Sequence, residues 1–267
     1  MMRLAIAGCA GRMGQALING ALATPGVELV AGSVRAGNKW IGKEVGMLVQ
    51  APTPGVYLSA EAEELFIKAD AVIDFTTPEH SQVLAALADK HGRILVCGTT
   101  GLKETGLAMF RTHARKARIV CSPNMSIGVN LLLGLVEKVA AILPPEECDI
   151  EIDEMHHRFK VDAPSGTALA LGAAAARGRS AQLADIRCDY QQATLGARKQ
   201  GAIGFSVRRG GDVVGDHTVT FACAGERIEL THKSSSRDIY AKGAIRAALW
   251  AQDKPAGFYT MKDVLGI

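Results

Sequence analysis

The sequence has little excess charge of either sign. Of its 267 residues, 30 are Lys or Arg and 27 are Asp or Glu, so the formal net charge is only +3. This argues against nucleic acid or an anionic membrane as a partner, because both require a concentrated basic surface. Hydrophobic residues make up 48% and charged residues 21% of the chain, a balance that is typical of globular proteins and excludes disorder as the dominant state.

Long apolar segments and paired cysteines are also missing. The most apolar stretch, residues 130–143, is interrupted by Glu137 and Lys138 and is too short to span a bilayer. The first residues enter a strand and a glycine turn at once, so we expect no signal or transit peptide and a cytoplasmic location. No two of the six cysteines have C-x-x-C spacing, and a chain of this length does not need disulfides. We therefore expect six reduced thiols.

The first 125 residues alternate short apolar runs with helical patterns, as in a parallel sheet with helical crossovers. Strands are predicted at residues 4–7, 28–31, 71–75, 94–97 and 118–121, and helices at 13–23, 78–91 and 103–116. Nearly continuous apolar strands are typical of a sheet that helices cover on both faces. The fold class predicted here is α/β, with an N-terminal Rossmann-like, doubly wound parallel sheet.

The pattern changes after residue 126. A long helix at 128–142 leads to a strand at 149–154 in which apolar and acidic residues alternate, so that one face of the strand is buried. A helix at 167–176 and strands at 204–208, 217–222 and 227–232 follow, which predicts a second, α+β domain on a mixed sheet. We expect residues 1–126 to form a dinucleotide-binding domain, completed by 237–267, and residues 127–236 to bind substrate and to oligomerise.

A glycine-rich turn follows the first strand and opens the first helix. Gly8, Gly11 and Gly14 permit a tight turn, close approach of the backbone to a pyrophosphate, and close packing of helix on strand. Arg12 and Met13 start the helix, whose free N–H groups would face the phosphates. The alternative is a purely structural turn.

The second strand leads to Arg35. An NAD-preferring site would have an Asp or Glu in this region to bind the adenosine ribose, but residues 32–39 contain no carboxylate. Arg35 could instead form a bidentate pair with a 2′-phosphate. The sequence predicts NADPH as the preferred cofactor, with NADH possible. Alternatively, Arg35 and Lys39 are ordinary solvated cations.

Three further loops follow strands at the edge where open α/β sheets bind ligands. Their small, hydroxyl and glycine residues would let the backbone reach the ribose and the nicotinamide. The residues expected at the cofactor are Phe75 and Thr76 in the first loop, Gly98, Thr99 and Thr100 in the second, and Ser122, Pro123, Asn124 and Met125 in the third.

The stretch from Glu154 to Ala168 combines two adjacent histidines, an arginine and a lysine with the start of a helix. This positive potential favours an anionic substrate, and Ser165, Gly166 and Thr167 could hold a carboxylate at the helix N-terminus. Ser165 could equally be a simple N-cap. A metal site is disfavoured because no cysteine or further histidine is close in sequence. The other five histidines, including His80 and His217, are interpreted as structural or surface residues.

Here the chain resembles the 4-hydroxy-tetrahydrodipicolinate reductase (dihydrodipicolinate reductase) family. The family signature E-x-H-H-x-x-K-x-D-A-P-S-G-T-A matches Glu154–Ala168 throughout. A D-F-T-x-P-E segment at Asp74–Glu79 and a G-T-T-G loop at Gly98–Gly101 stand in family order. So do I-G-F-x-x-x-R at Ile203–Arg209 and T-H-K-x-S-S-R at Thr231–Arg237.

The resemblance implies an oxidoreductase of the diaminopimelate and lysine pathway that reduces a small dicarboxylate with NADPH. It implies His156 as the proton donor and Lys160 as its partner, with His157, Lys160, Ser165, Gly166 and Thr167 in contact with the substrate. It also implies a homotetramer. The chain departs from many members, which have an acidic residue beside the arginine after the second strand, because Val34 stands there. This agrees with the NADPH prediction.

Two other functions remain open. The first is a different two-domain NAD(P)-dependent dehydrogenase, although a semialdehyde dehydrogenase would need a nucleophilic cysteine with a histidine nearby. The second is a non-catalytic redox sensor that binds NADPH, which would tolerate loss of the histidine–lysine set that this chain retains.

Overall fold

The computed structural model describes residues 1–188 and 197–267. The chain divides into two units that we treat separately. Unit 1 contains Met1–Ile127 and Arg237–Gly266, and unit 2 contains Gly128–Ser236 together with Ile267. Among the described residues, no helix has the length and hydropathy that a membrane span requires.

Unit 1 is built on a seven-stranded sheet in which every pair of neighbouring strands is parallel. Its strands are β1 (Met2–Ala7), β2 (Val27–Ser33), β3 (Leu58–Ser59), β4 (Ala71–Asp74), β5 (Ile94–Cys97), β6 (Arg118–Cys121) and β12 (Gly257–Tyr259). The strand order is β12-β6-β5-β4-β1-β2-β3. The direction of winding therefore reverses between β1 and β4, which is where open α/β sheets bind ligands.

Helices cover both faces of this sheet. On one face lie α1 (Arg12–Ala23) and α8 (Asp238–Ala251), and on the other lie α2 (Ala62–Lys68), α3 (Pro78–His91) and α4 (Glu104–Thr112). Successive strand residues point to opposite faces, so Ile73 packs into the α1 and α8 core while Val72 packs into the other. A 3-10 turn (Val45–Leu48) and α9 (Met261–Leu265) complete the unit.

The boundaries of α3 follow from its sequence. Thr77 is the N-cap and accepts a hydrogen bond from the amide of His80, while Pro78 occupies the first helical position, where its missing N–H costs nothing. The helix ends at Gly92, whose φ of 62° lies in the left-handed region that glycine adopts without strain. These caps fix where the loop after β4 meets the helix.

Unit 2 contains a five-stranded mixed sheet. Its elements are α5 (Ile127–Ile142), β7 (Cys148–His156), α6 (Gly166–Gly178), α7 (Leu183–Ile186), β8 (Arg187–Cys188), β9 (Ile203–Arg209), β10 (Gly215–Cys223) and β11 (Glu226–Ser234). The order is β11-β10-β7-β9-β8. β10 is antiparallel to β7 and β11, whereas β9 is parallel to β7 and β8. The predicted fold class, a Rossmann-like sheet followed by a mixed-sheet domain, is confirmed.

The core of unit 2 lies on one face of its sheet. Along β7 every second residue is buried, as the alternating sequence predicts, and Ile150 and Ile152 pack against apolar residues of α5 and α6. The opposite face of β7 exposes Asp149, Glu151 and Asp153 in part. Because side chains alternate along β7, Glu154 and His156 lie on the same face of the sheet as the core. They stand at the end of the strand that is close to the start of α6.

The prediction of six free thiols is wrong for one pair. Cys148 and Cys223 stand opposite each other in the β7–β10 ladder and are joined by a disulfide. They are 75 residues apart in sequence, so only strand register brings them together. Cys9, Cys97, Cys121 and Cys188 are free.

Candidate functional site

In unit 1, a cavity of about 580 Å³ opens at the carboxyl ends of β1, β2 and β4. It coincides with the reversal of winding, as expected for a nucleotide site. Four of its lining residues, Gly8, Gly11, Arg35 and Thr76, were predicted from the sequence. The rest of the lining consists of Ala10, Ser33, Val34, Ala36, Asn38, Ala60, Thr77 and His80.

The glycines at this cavity are required by close contacts. Gly8 has φ +75°, and a Cβ there would lie 2.8 Å from Cγ2 of Thr76. A Cβ on Gly14 would lie 2.3 Å from the carbonyl oxygen of Gly8, so helix α1 can approach β1 only without a side chain at this position. The turn after β1 therefore requires glycine at positions 8 and 14.

The N-terminus of α1 lies at this cavity, and within the described ranges no acidic side chain there competes with an anionic ligand. Among the described residues, no side chain caps the helix and no acidic residue stands in its first turn. The N–H groups and the positive end of the helix dipole are thus open to an anion. Arg35, which is exposed, adds a cation to the cavity lining, while Val34 beside it is buried. These residues fit a phosphorylated dinucleotide.

Asp74 ties the loops after β4 and β5 together. Its carboxylate is fully buried and accepts hydrogen bonds from the amide of Thr76 at 2.9 Å, from Oγ1 of Thr76 at 2.6 Å, and from the hydroxyl of Ser81. Thr99 Oγ1 lies 3.3 Å from the same carboxylate and 2.9 Å from Ser81 Oγ. The predicted cofactor residue Thr99 is therefore buried and holds the loop geometry.

The other predicted cofactor residues of unit 1 do not line the cavity. Phe75 covers Gly98 so closely that a Cβ there would lie 2.3 Å from its ring. Ser122 Oγ donates to the carbonyl oxygen of Asn124 at 2.8 Å. Met125 is fully buried, whereas Arg12, Thr100 and Pro123 are exposed and Met13 is half-buried.

In unit 2, the carboxylate of Glu154 and the imidazole of His156 form a buried pair at the end of β7. Their exposed fractions are 1% and 7%, and Nδ1 of His156 lies against Oε2 of Glu154. Burial opposes ionisation of Glu154, but contacts with His156, Arg209 and the amide of Ser165 outweigh it and lower its pKa to about 2. The carboxylate is thus a fixed negative charge that holds one nitrogen of His156.

The N-terminus of α6 adjoins this pair. The amide of Ser165 donates to Oε1 of Glu154 at 2.9 Å, and its Oγ accepts from the amide of Ala168 at 3.1 Å. Ser165 is therefore the N-cap of α6 and is only 2% exposed. This role is compatible with a substrate contact, which stays a prediction. Gly166 is exposed and Thr167 is half-buried.

Cations surround the same region. Lys160 Nζ lies 2.7 Å and 2.9 Å from the two carboxylate oxygens of Asp162, and this pairing lowers the pKa of Asp162. Arg209 Nη2 donates to Oε1 of Glu154 at 3.0 Å and to the carbonyl oxygen of Asp162 at 2.6 Å. His157 follows His156 and is half-buried.

Sequence reasoning missed His217 and Arg209. His217 is 4% exposed, contacts Ser165 Oγ through Nε2 at 3.2 Å, and meets the ring of His156 edge-on with centroids 5.0 Å apart. Burial and the neighbouring charge of His156 lower the pKa of His217 to about 4. Both residues arrive through strand pairing, His217 opposite Glu154 and Arg209 opposite His156, which no local pattern reveals.

His217 also changes the argument about metals. Glu154, His156 and His217 each offer a ligand atom, and these atoms lie within 4.8 Å of one another. The sequence argument against a metal assumed that no further histidine lies near His156, but His217 is close to it in the folded structure. The imidazole of His156 and the guanidinium of Arg209 already occupy the carboxylate of Glu154, so the absence of a metal stays a prediction.

Comparison with known proteins places both units in one family. The family "Dihydrodipicolinate reductase, N-terminus" matches residues 2–125, and "Dihydrodipicolinate reductase, C-terminus" matches residues 128–265. The chain is 48% identical over 266 residues to a 4-hydroxy-tetrahydrodipicolinate reductase of Rhizobium rhizogenes, covering 100% of this chain and 97% of the relative. It is 49% identical over 266 residues to the enzyme of that name from Brucella abortus, covering 100% and 99%.

Solved structures agree. A dipicolinate-bound dihydrodipicolinate reductase from Paenisporosarcina sp. TG-14 matches with a TM-score of 0.79 and 26% identity, covering 97% of each chain. An amine dehydrogenase from Mycobacterium smegmatis shares the fold, with a TM-score of 0.60 at 11% identity over 97% of this chain and 95% of that one. The chain belongs to the dihydrodipicolinate reductase family.

Proposed function

We propose that this NAD(P)H-dependent oxidoreductase reduces 4-hydroxy-tetrahydrodipicolinate to tetrahydrodipicolinate, with NADPH as the preferred cofactor, in the diaminopimelate route to lysine. The observation that carries the proposal is the buried Glu154–His156 pair beside the N-terminus of α6. It joins a proton donor to a site for an anion, as a reaction that delivers a proton to a dicarboxylate requires.

The substrate carboxylates would be held by the cationic side of unit 2. The amides of Gly166 and Thr167 begin α6, where the helix dipole favours an anion. Lys160 is half-buried and already paired with a carboxylate, Asp162, which a substrate carboxylate could replace. The reductase from Paenisporosarcina is bound to dipicolinate, which is likewise a dicarboxylate.

The bound cofactor supplies the hydride. The chain must supply a proton and stabilise the negative charge that develops on the conjugated imine. Glu154 holds Nδ1 of His156, which leaves Nε2 to deliver the proton, and Lys160 provides positive charge close by.

The cofactor would be held by unit 1. The bare backbone of Gly8 and Gly11 and the uncapped start of α1 suit the pyrophosphate, and Arg35 suits a 2′-phosphate. A homotetramer and a cytoplasmic location remain predictions from the sequence.

The test is oxidation of NADPH, followed by absorbance, with the freshly made condensation product of aspartate semialdehyde and pyruvate. We expect rapid oxidation by the wild type. In H156Q we expect kcat to fall by about a hundredfold or more while the Kd for dipicolinate stays within about threefold, because general acid catalysis contributes about 10²–10⁴ to the rate.

The control is His113→Gln, which alters a half-buried histidine of unit 1 beside Asp89 and should retain full activity. Wild-type kcat in H156Q would exclude His156 as the proton donor. A wild type that binds NADPH but oxidises none would instead favour another dehydrogenase or the redox sensor.

A further inference from the structure

The space beside Nε2 of His156 is controlled by a residue that has no side chain. Gly215 is buried at the first position of β10, two residues before His217. A Cβ on Gly215 would lie 2.9 Å from Nε2 of His156 and 3.3 Å from its Cδ2. A carbon atom this close to Nε2 would overlap with it, so a methyl group at residue 215 would crowd Nε2 or force the ring of His156 to move.

The opposite side of this position is formed by His217. Its Cε1 lies 3.6 Å from the same point, an ordinary van der Waals distance. The two rings meet edge-on at 76°, so His217 limits how far the ring of His156 can turn. A methyl group at residue 215 would therefore press on Nε2 of His156, and His217 on the other side would hinder the ring from turning away.

The other nitrogen of His156 is not available for chemistry. Nδ1 faces the carboxylate of Glu154, which the low pKa of about 2 keeps ionised. Nε2 is the ring nitrogen on the side of Gly215. His217, whose pKa is lowered to about 4 by burial and by His156, stays neutral near pH 7 and adds no repulsive charge beside a protonated His156.

We propose that Gly215 is a positioning residue for proton transfer, because the absence of its side chain keeps Nε2 of His156 open to the proton-accepting atom of the substrate. The inference rests on the proposed function. In the step itself, the N–H bond at Nε2 breaks and a bond from the proton to the substrate forms. The imidazole is left neutral, with its remaining proton on Nδ1, and takes up a proton from solvent before the next turnover.

The test compares G215A with G210A. Gly210 precedes the turn between β9 and β10, and a Cβ there would meet only the flexible end of Met155, at 3.2 Å. Three quantities are measured in each: kcat for NADPH oxidation, the Kd for dipicolinate, and the rate at which diethyl pyrocarbonate modifies His156, read by peptide mass spectrometry. This reagent attacks an unprotonated, accessible imidazole nitrogen, so its rate reports on Nε2 without requiring turnover.

In G215A we expect kcat to fall by about a hundredfold, as general acid catalysis would be blocked. Modification of His156 should slow at least tenfold, and G210A should match the wild type in all three measurements. A G215A enzyme with wild-type kcat, or one that loses kcat while His156 is modified at the wild-type rate, overturns the inference.

If G215A does not fold, the wild type still decides. The inference requires that His156 is modified in the free enzyme and protected by saturating dipicolinate, and an unprotected or unreactive His156 overturns it. If the wild type shows no NADPH oxidation, the proposed function fails, whereas the modification rates of G215A and G210A still test the access of Nε2.

Discussion

At the scale of single residues, the site consists of charges that strand pairing places side by side. Glu154, His156 and Arg209 meet because β7 and β9 are in parallel register, with His156 opposite Arg209. The histidines and Lys160 could be identified from a contiguous motif. Arg209 stands in the family segment Ile203–Arg209, but its contact with Glu154 could not be predicted, and neither could the position of His217. Both depend on which strands pair.

Arg35 leads to a prediction about the cofactor. In R35A we expect the ratio of kcat/KM for NADPH to kcat/KM for NADH to fall by about 10- to 100-fold, because hydrogen bonds to charged groups contribute about 1.5–3 kcal/mol. The measurement is steady-state kinetics with both cofactors. Lys39→Ala is the matched control, since its Nζ lies 5.8 Å from the ring centroid of Trp40. An unchanged ratio in R35A would identify Arg35 as a solvated surface cation.

The buried histidine of β10 predicts how stability depends on pH. The pKa of His217 is about 4 in the folded state, below its usual 6.5, so the unfolded chain binds a proton that the folded chain does not. Between pH 6.5 and 4 the free energy of unfolding should therefore fall as the pH falls, by at most about 3 kcal/mol. Glu154, with its pKa lowered to about 2, adds a further loss below pH 4.5.

Hydrogen exchange of peptides from β7 and β10, at increasing urea and at pH 7, 5.5 and 4.5, measures this dependence. H217Q removes the titrating ring and should flatten the profile above pH 4.5. An equally steep profile in H217Q would mean that other groups carry the effect.

At the scale of elements, long periodic segments were predictable and short ones were not. Strands β1, β2, β4, β5 and β6 and helices α1, α3 and α5 follow from apolar runs and helical spacing. β3 has two residues and β12 has three, too few to show any period, and α2 is a single short helix of seven. Ala60, which follows β3, therefore lines the cavity without having been predicted.

The ends of β4 and β5 are held together by one buried carboxylate. In D74N, an amide N–H₂ replaces one of the two carboxylate oxygens, either Oδ1, which accepts from Thr76, or Oδ2, which accepts from Ser81 and Thr99. We expect a loss of about 2 kcal/mol or more in the free energy of unfolding and weaker NADPH binding, because donors would face a donor. Thermal unfolding and a fluorescence titration with NADPH measure both, and the exposed Asp253→Asn is the control. Wild-type NADPH affinity in D74N would show that the hydrogen bonds of Asp74 do not affect cofactor binding.

At the scale of the whole molecule, the chain leaves unit 1, builds unit 2 and returns. Residues 237–266 supply α8, which packs on α1, and β12, which extends the first sheet next to β6. Ile245 of α8 is fully buried there, and a Cβ on Gly20 of α1 would lie 2.9 Å from its Cδ1. Helix α8 is thus part of the core of unit 1.

This arrangement predicts that a substitution in α8 destabilises unit 1. In I245A we expect a loss of about 2–5 kcal/mol, typical of a large-to-small change in a core. Exchange protection should fall in peptides of β1, β4 and α1, while peptides of β7 and β10 keep theirs. Leu22→Ala, at a position on α1 that is 44% exposed, should cost far less. Equal loss of protection in both units would show that they unfold together.

The return of the chain has a consequence for its synthesis. When residue 236 has been added at the ribosome, all of unit 2 except Ile267 has been synthesised, but α8, which packs on the α1 side of unit 1, has not. At about 5–20 residues per second this interval lasts a few seconds, during which the surface that Ile245 will cover is open to chaperones and proteases. A chain that terminated there would lack α8 and β12, so the core residues of unit 1 that α8 covers would stay exposed.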